Sequence, residues 1–229
     1  MTQTSGKSVV ILGATGAVGT EVMRQLADMD EITKVTALTR RPFTSVTSDK
    51  FTQHLVDPLN PESYRPFLSG HDIAICTLGV GAISSVSKEE FLRVDRDAVI
   101  AFGKAVRDTG CGHFQLLCSV GANPKSRVFY LRSKGQLEEA LRQMNFDRLS
   151  LFRPSNILTP KSRYGLGQAI VLKVWPHLDP ILSGPLRRYR GIRVEHLGQA
   201  IAQNCLIQEP QNEVLEWDDF QALVAQIQT

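Results

Sequence analysis

Long hydrophobic runs are missing from this chain. No stretch approaches the roughly 18 uninterrupted apolar residues of a membrane-spanning helix, so no membrane association is expected. The opening MTQTSGKSVVILG lacks a basic segment followed by a long apolar core, and so does not read as a secretory signal. Metal-ligand spacing is missing too. The five histidines (His54, His71, His113, His177, His196) never fall at HxxxH spacing. The four cysteines (Cys76, Cys111, Cys118, Cys205) make no CxxC pair. No metal site is expected, and the thiols read as buried and free in a reducing compartment. Strong charge is also absent. A net charge of +3 over 229 residues gives no general affinity for nucleic acid. These absences point to a cytoplasmic globular chain, and 42% hydrophobic residues supply the core of one α/β domain.

What is present is a series of short, nearly continuous apolar runs: SVVIL (8–12), KVTAL (34–38), DIAICTL (72–78), HFQLLCS (113–119) and RLSLF (148–152). Continuity, in place of alternation, marks strands covered on both faces, as in a parallel sheet. Helical spacing separates them, with Val18, Val22, Leu26 and Met29 on one stripe and Phe91, Ala98, Phe102 and Val106 on another. The expected fold is α/β, a Rossmann-like doubly wound parallel sheet formed by residues 1–154. Beyond it Pro154, Pro160, Gly165, Gly167, Pro176, Pro180, Gly184 and Pro185 break the periodicity. Residues 155–229 are therefore expected to form a small, loop-rich substrate or lid region packed on the same domain. Within it VEHLGQAIAQNCL (194–206) is periodic, and EWDDFQALVAQIQT reads as a capped amphipathic helix with Phe220, Leu223, Val224 and Ile227 on one side.

ILGATGAVGTEV places Gly13, Gly16 and Gly19 between the first strand and the first helix. The first permits a tight turn, the second lets backbone amides reach a pyrophosphate, and the third allows close packing of helix on strand. Thr15, Ala17 and Val18, between them, are expected at the same anion, where the helix N-terminus offers unpaired donors. About 20 residues on, an NAD site would carry an acid for the ribose 2′-hydroxyl. ALTRRPF instead carries Arg40 and Arg41, which suit a 2′-phosphate, so NADP(H) is the expected cofactor and NAD(H) the alternative. Asp57 in HLVDPLN is a candidate for the adenine amine, with a turn or cap as its other role. Leu78 and Gly79 in CTLGVG are candidates for the adenine-ribose side.

FYLRSKGQLEEAL predicts a helix over about 126–144. Tyr130, Lys134, Leu137, Leu141 and Met144 share one face of it, so Lys134 points inward and needs a partner. Gly135, mid-helix, suggests that another group comes close. Hydride transfer to a carbonyl leaves negative charge on its oxygen. A phenol can donate the neutralising proton, and a nearby ammonium makes a phenol more acidic. Tyr130 is thus the candidate proton donor and Lys134 its tuning cation and a ribose ligand. Ser119, at the end of the fifth run, is placed to hold the substrate oxygen.

These features resemble the short-chain dehydrogenase/reductase superfamily in its atypical branch. More narrowly, FLRVDRDAVI, FQLLCSVGAN, FYLRSKGQLE and FDRLSLFRPSNIL are similar to the Tat-interacting-protein (CC3) oxidoreductases, over roughly residues 8–160. The resemblance implies an NADPH-binding Rossmann fold with Ser119, Tyr130 and Lys134 at the catalytic positions. It also implies Pro154 beside the nicotinamide, with Cys118 and Asn156 among the cofactor contacts. Where many superfamily members carry an asparagine for a proton relay, this chain has Asp95.

The expected activity is reduction of a small carbonyl, or oxidation of an alcohol. The alternative is a redox-sensing regulator that binds NADP(H) and signals through protein partners without turnover. A thiol-dependent semialdehyde dehydrogenase would need an activated cysteine, and only Cys118 is suitably placed. The basic cluster GPLRRYRGIR, with Arg187, Arg188, Arg190 and Arg193 around Tyr189, reads as a solvated strand or loop.

Overall fold

The computed structural model describes residues 6–81, 86–160, 181–207 and 209–225. Gly165, Gly167, Pro176, His177, Pro180 and Ile227 lie outside the described residues.

The apolar runs become strands, and the helical stripes cover them. Strand β1 (Lys7–Leu12) leads through a tight turn into α1 (Ala17–Asp28), and then come β2 (Ile32–Thr39), β3 (Phe51–Leu55) and β4 (Ile73–Cys76). The segment after Ser87 is one continuous helical run. It comprises α2 (Lys88–Leu92), a single π turn (Arg93–Asp97) and α3 (Ala98–Asp108). Ser87 caps it by accepting a 3.1 Å bond from the Glu90 amide. Strand β5 (His113–Leu117), α4 (Phe129–Arg142) and β6 (Arg148–Phe152) follow. The remainder holds β7 (Ile157–Leu158), β8 (Ile192–Arg193), α5 (Val194–Gln203), β9 (Gln211–Leu215) and α6 (Trp217–Ala225).

Among the described residues, seven strands form one sheet in the order β3-β2-β1-β4-β5-β6-β9, every neighbouring pair parallel. This is the expected doubly wound Rossmann-like sheet. Central strands β4 and β6 are buried at every residue, as their unbroken apolar character requires. Two cores flank the sheet. One joins Val22, Leu26, Ile11 and Phe152 to Leu197 and Phe220 on the side of α1, α5 and α6. The other joins Val10, Leu116 and Phe102 to Leu137 and Leu141 on the side of α3 and α4.

The region beyond residue 154 contributes more regular structure than its proline and glycine content suggests. Strand β9 pairs with β6, and α5 and α6 bury Leu197, Ile201, Phe220 and Leu223 on the sheet. QNEVL escaped the apolar-run criterion because an edge strand has one flank in solvent. Its pattern runs exposed, exposed, half-buried, exposed, buried. A buried polar cluster fastens it. Arg148 pairs with Glu213 at 2.5 Å, and Ser150 Oγ donates to the same carboxylate at 2.6 Å. Asn204 Nδ2 donates to Ser150 Oγ at 2.8 Å, and His113 Nε2 lies 2.9 Å from that oxygen.

Candidate active site at the carboxyl end of the sheet

In the strand order, β1 lies between β2 and β4, so the chain leaves β1 at the point where the sheet's winding reverses. Ligands of open parallel sheets collect in the crevice there. The turn after β1 is built for close approach. Gly13 holds φ at +101°, and a Cβ on it would lie 2.7 Å from the Leu78 amide nitrogen. Thr77 Oγ1 donates to the Gly13 carbonyl at 3.0 Å, joining the turns after β1 and β4. Helix α1 begins at Ala17 with no side-chain cap and no acidic residue in its first turn. Its leading amides are therefore open to an anion, and the helix dipole favours one. These features fit a dinucleotide pyrophosphate.

A groove of about 250 Å³ runs across this point. Of the predicted cofactor residues it gathers Gly13, Thr15, Gly16, Arg40, Arg41, Leu78 and Gly79. Both arginines are exposed at the end of β2. Sequence reasoning missed Thr39, Pro58, Thr77 and Val80, which also line it. For Thr77 and Val80 the signal was at hand, since both stand within or beside the CTLGVG turn. Asp57 does not line the groove. Its carboxylate accepts from the Leu59 amide at 2.9 Å in a local turn, the second of its two sequence roles. Val18 is 5% exposed and packs into the core behind the groove.

Helix α4 carries Tyr130 and Lys134. Its buried residues include Lys134, Leu137 and Leu141, and Tyr130 is half-buried on the same track. Gly135 has the close neighbour its position suggested. A Cβ there would come within 2.2 Å of the Asn123–Pro124 peptide, so that loop lies flat against the helix. The partner required by an inward lysine is Asp95. Lys134 Nζ lies 3.0 Å from Asp95 Oδ1, with side chains only 6% and 7% exposed. The other carboxylate oxygen accepts from the Val80 amide at 2.8 Å. Nζ also stands 6.0 Å from the ring centres of both Phe91 and Tyr130. Burial works to lower the Lys134 pKa. The negative charges its neighbours Asp95, Tyr130 and Cys118 can carry together outweigh burial, and the ammonium is held above the ordinary lysine range.

Ser119 follows β5 in a turn where Gly121 has φ of +77°. Its hydroxyl makes one long contact, 3.4 Å, with the Val120 carbonyl. Pro154 stands across from it, its carbonyl accepting from the Val120 amide at 3.0 Å. Asn156 is half-buried, and its carbonyl accepts from Ile192 at 2.9 Å. Cys118 is buried in the core on the α3 and α4 side. Burial, reinforced by the charge of Glu138, pushes its thiol well above the ordinary range. Such a thiol is not an activated nucleophile, which argues against the thiol-dependent route. The basic cluster stays largely in solvent, as its sequence suggested, and runs along the start of α6. Arg187 pairs with Asp218 at 2.6 Å, Arg188 pairs with Glu216, and the Arg190 guanidinium stacks 4.9 Å from the Trp217 ring centre.

The chain matches a family model described as NAD(P)H-binding over residues 13–167, more than half its length. It is 35% identical over 181 residues to Protein HTATIP2 of Rattus norvegicus, covering 78% of this chain and 74% of that protein. It is 30% identical over 167 residues to a Candida albicans protein named Protein FMP52, mitochondrial, covering 71% and 73% of the two. Among solved structures it superposes on the oxidoreductase ylbE of Lactococcus lactis with a TM-score of 0.65, 16% identity and 97% coverage of both chains. MoeE5, solved with UDP-glucuronic acid and NAD, gives 0.70 at 14% identity, covering 97% of this chain and 82% of that one. At such identities the structures speak for the fold. Among the described residues no helix is long and apolar enough to cross a membrane. With its groove, glycine turn and matching family model, the chain belongs to the NAD(P)H-binding family and, within it, to the Tat-interacting-protein (CC3) group of atypical short-chain dehydrogenases/reductases.

Proposed function

We propose that the protein is an NADP(H)-dependent oxidoreductase that reduces a small carbonyl, or oxidises the corresponding alcohol, with Tyr130 as the proton donor. The observation that carries this reading is the buried, charged Lys134 beside Tyr130 on one face of α4, at the carboxyl end of the sheet. When bound, a nicotinamide dinucleotide supplies or accepts the hydride. The chain's own residues do the rest. Ser119 holds the substrate oxygen, and the Tyr130 hydroxyl gives that oxygen a proton as negative charge develops. The phenolate left behind is stabilised by the Lys134 ammonium and regains its proton from solvent. Lys134 has three N–H donors, and one goes to Asp95, so others can reach ribose hydroxyls. Arg40 and Arg41 meet a 2′-phosphate, the basis for preferring NADP(H).

Tyr130→Phe is the direct test. Steady-state assays over a panel of small aldehydes, ketones and alcohols should lose at least about a hundredfold in turnover, while NADPH affinity stays within about twofold. Full turnover in this variant would end the proton-donor role.

Asp95 favours a second reading, an NADP(H)-binding sensor that works through protein partners without turnover, because its charge offsets that of Lys134. A carbonyl screen without activity, joined to cofactor-dependent complex formation, would select it. Four buried cysteines held as thiols support a reducing compartment, and we place the protein in the cytoplasm. The Candida albicans relative is named mitochondrial, so cell fractionation is the check.

A further inference from the structure

Asp95 lies between two parts of the site that the fold delivers separately. Lys134 comes from α4. The turn Thr77–Val80, which walls the groove, comes from the end of β4. One carboxylate serves both, with Oδ1 on the Lys134 ammonium at 3.0 Å and Oδ2 on the Val80 amide at 2.8 Å. The local backbone is arranged around this contact. Asp95 sits in the π turn (Arg93–Asp97) between α2 and α3, an irregularity of the kind that often marks functional positions. On the facing turn, a Cβ at Gly79 would lie 3.0 Å from Asp95 Oδ1. A larger residue there would press on the carboxylate.

We propose that Asp95 is a positioning residue that holds Lys134 charged and fixes it in one frame with the groove wall at Gly79–Val80, so that nucleotide binding and Lys134 orientation are a single event. The proposal rests on the reading of the groove as an NADP(H) site. The physical ground is desolvation. An ammonium this deeply buried is retained only beside a compensating charge, and losing that charge drives it to release its proton or leave its position. The other titratable groups around it do not offer that charge: the buried Glu138 carboxylate, one turn further along α4, is taken by Arg153 and Arg142. Tyr130 on α4 is a phenol. Cys118 beyond β5 and Cys76 on β4 are buried thiols, both pushed above their ordinary range. Asp95 is the carboxylate in contact, and it binds a groove-wall amide with its second oxygen.

The experiment compares wild type, Asp95→Asn, Lys134→Met and the double variant. NADPH binding is measured by calorimetry from about pH 6 to pH 9, and lysine side-chain titration by NMR in protein labelled at the lysine ε-carbon. The Asp95→Asn change keeps an acceptor for the Val80 amide but removes the charge, so the fold is retained and circular dichroism verifies it. The expected result is that Asp95→Asn weakens NADPH binding by about tenfold at pH 8 and recovers most of that at pH 6, where Lys134 is reprotonated. Lys134→Met should weaken binding without this pH dependence, and the double variant should bind no worse than Lys134→Met alone. In the unliganded protein, the Lys134 titration midpoint should fall to about pH 7 in Asp95→Asn. Wild-type affinity and pH profile in Asp95→Asn, or additive losses in the double variant, would overturn the proposal. If wild type itself binds no nicotinamide dinucleotide, the functional reading fails. The lysine titration then decides whether Asp95 holds Lys134 charged, and an unmoved midpoint overturns that as well.

Discussion

Two buried ion pairs sit at different places on the same sheet, and they are finished differently. Arg148–Glu213 joins β6 to β9 and has several partners, although Arg148 Nε has none among the described residues. Arg148 also donates to the Glu209 carbonyl at 2.7 Å and to Asn204 at 3.3 Å, while Ser150 donates to the shared carboxylate. Asp95–Lys134 is as deeply buried, yet among the described residues its ammonium donates to one oxygen only. A pair whose groups are largely satisfied by protein holds strands together. A pair with donors left over near a groove keeps hydrogen-bonding capacity that the first pair has spent.

Breaking each pair should separate these roles. The largest effect on stability is expected for Arg148→Ala, which strands the Glu213 carboxylate and loosens β9. Urea denaturation should register a loss of about 3–5 kcal/mol. Next comes acid. His113 is buried beside the same cluster, and burial, helped by the Arg148 charge, lowers its pKa to about 3. The unfolded chain binds that proton near pH 6.5, so the contribution is full above about pH 6.5 and is lost as pH falls toward 3. At about pH 4.5 this amounts to roughly 2–3 kcal/mol, and His113→Gln should remove that share of the pH dependence in thermal melts.

Lys134→Met should cost the fold less, about 2 kcal/mol, because the Asp95 carboxylate keeps its bond from the Val80 amide. Its main consequence is functional, a fall in turnover of about a hundredfold read in the same assays as Tyr130→Phe. Equal stability losses at Lys134 and Arg148 would erase the contrast between the pairs. The smallest change is at the far end of the groove. Replacing Arg40 with Asp and Arg41 with Ala should weaken NADPH binding about tenfold, near 1.4 kcal/mol, while NADH binding holds or improves.

The same contrast explains what could be read in advance. Strands buried on both faces announce themselves as unbroken apolar runs, so β1, β2, β4, β5 and β6 were legible, as was the glycine turn between β1 and α1. Strand β9 was not, since its pattern is that of a solvated segment and its place comes from Arg148 and Ser150, more than 60 residues away in the chain. At the site, the spacing of Tyr130 and Lys134 identified a shared face and the need for a counter-charge. It could not say which acid would answer. Asp95 is 39 positions distant, and only the packing of the π turn against α4 reveals it. Asp57 kept two readings for the converse reason, because a carboxylate after a strand can serve a ligand or its own turn with equal local propriety.

The flat contact between Gly135 and the Asn123–Pro124 peptide has a further consequence. The loop that leaves Ser119 is clamped onto the middle of the helix that begins beside Tyr130, so the hydroxyl and the phenol belong to one closed bracket. A side chain at position 135 would have to push that peptide away, and with it the loop that carries the Ser119 hydroxyl.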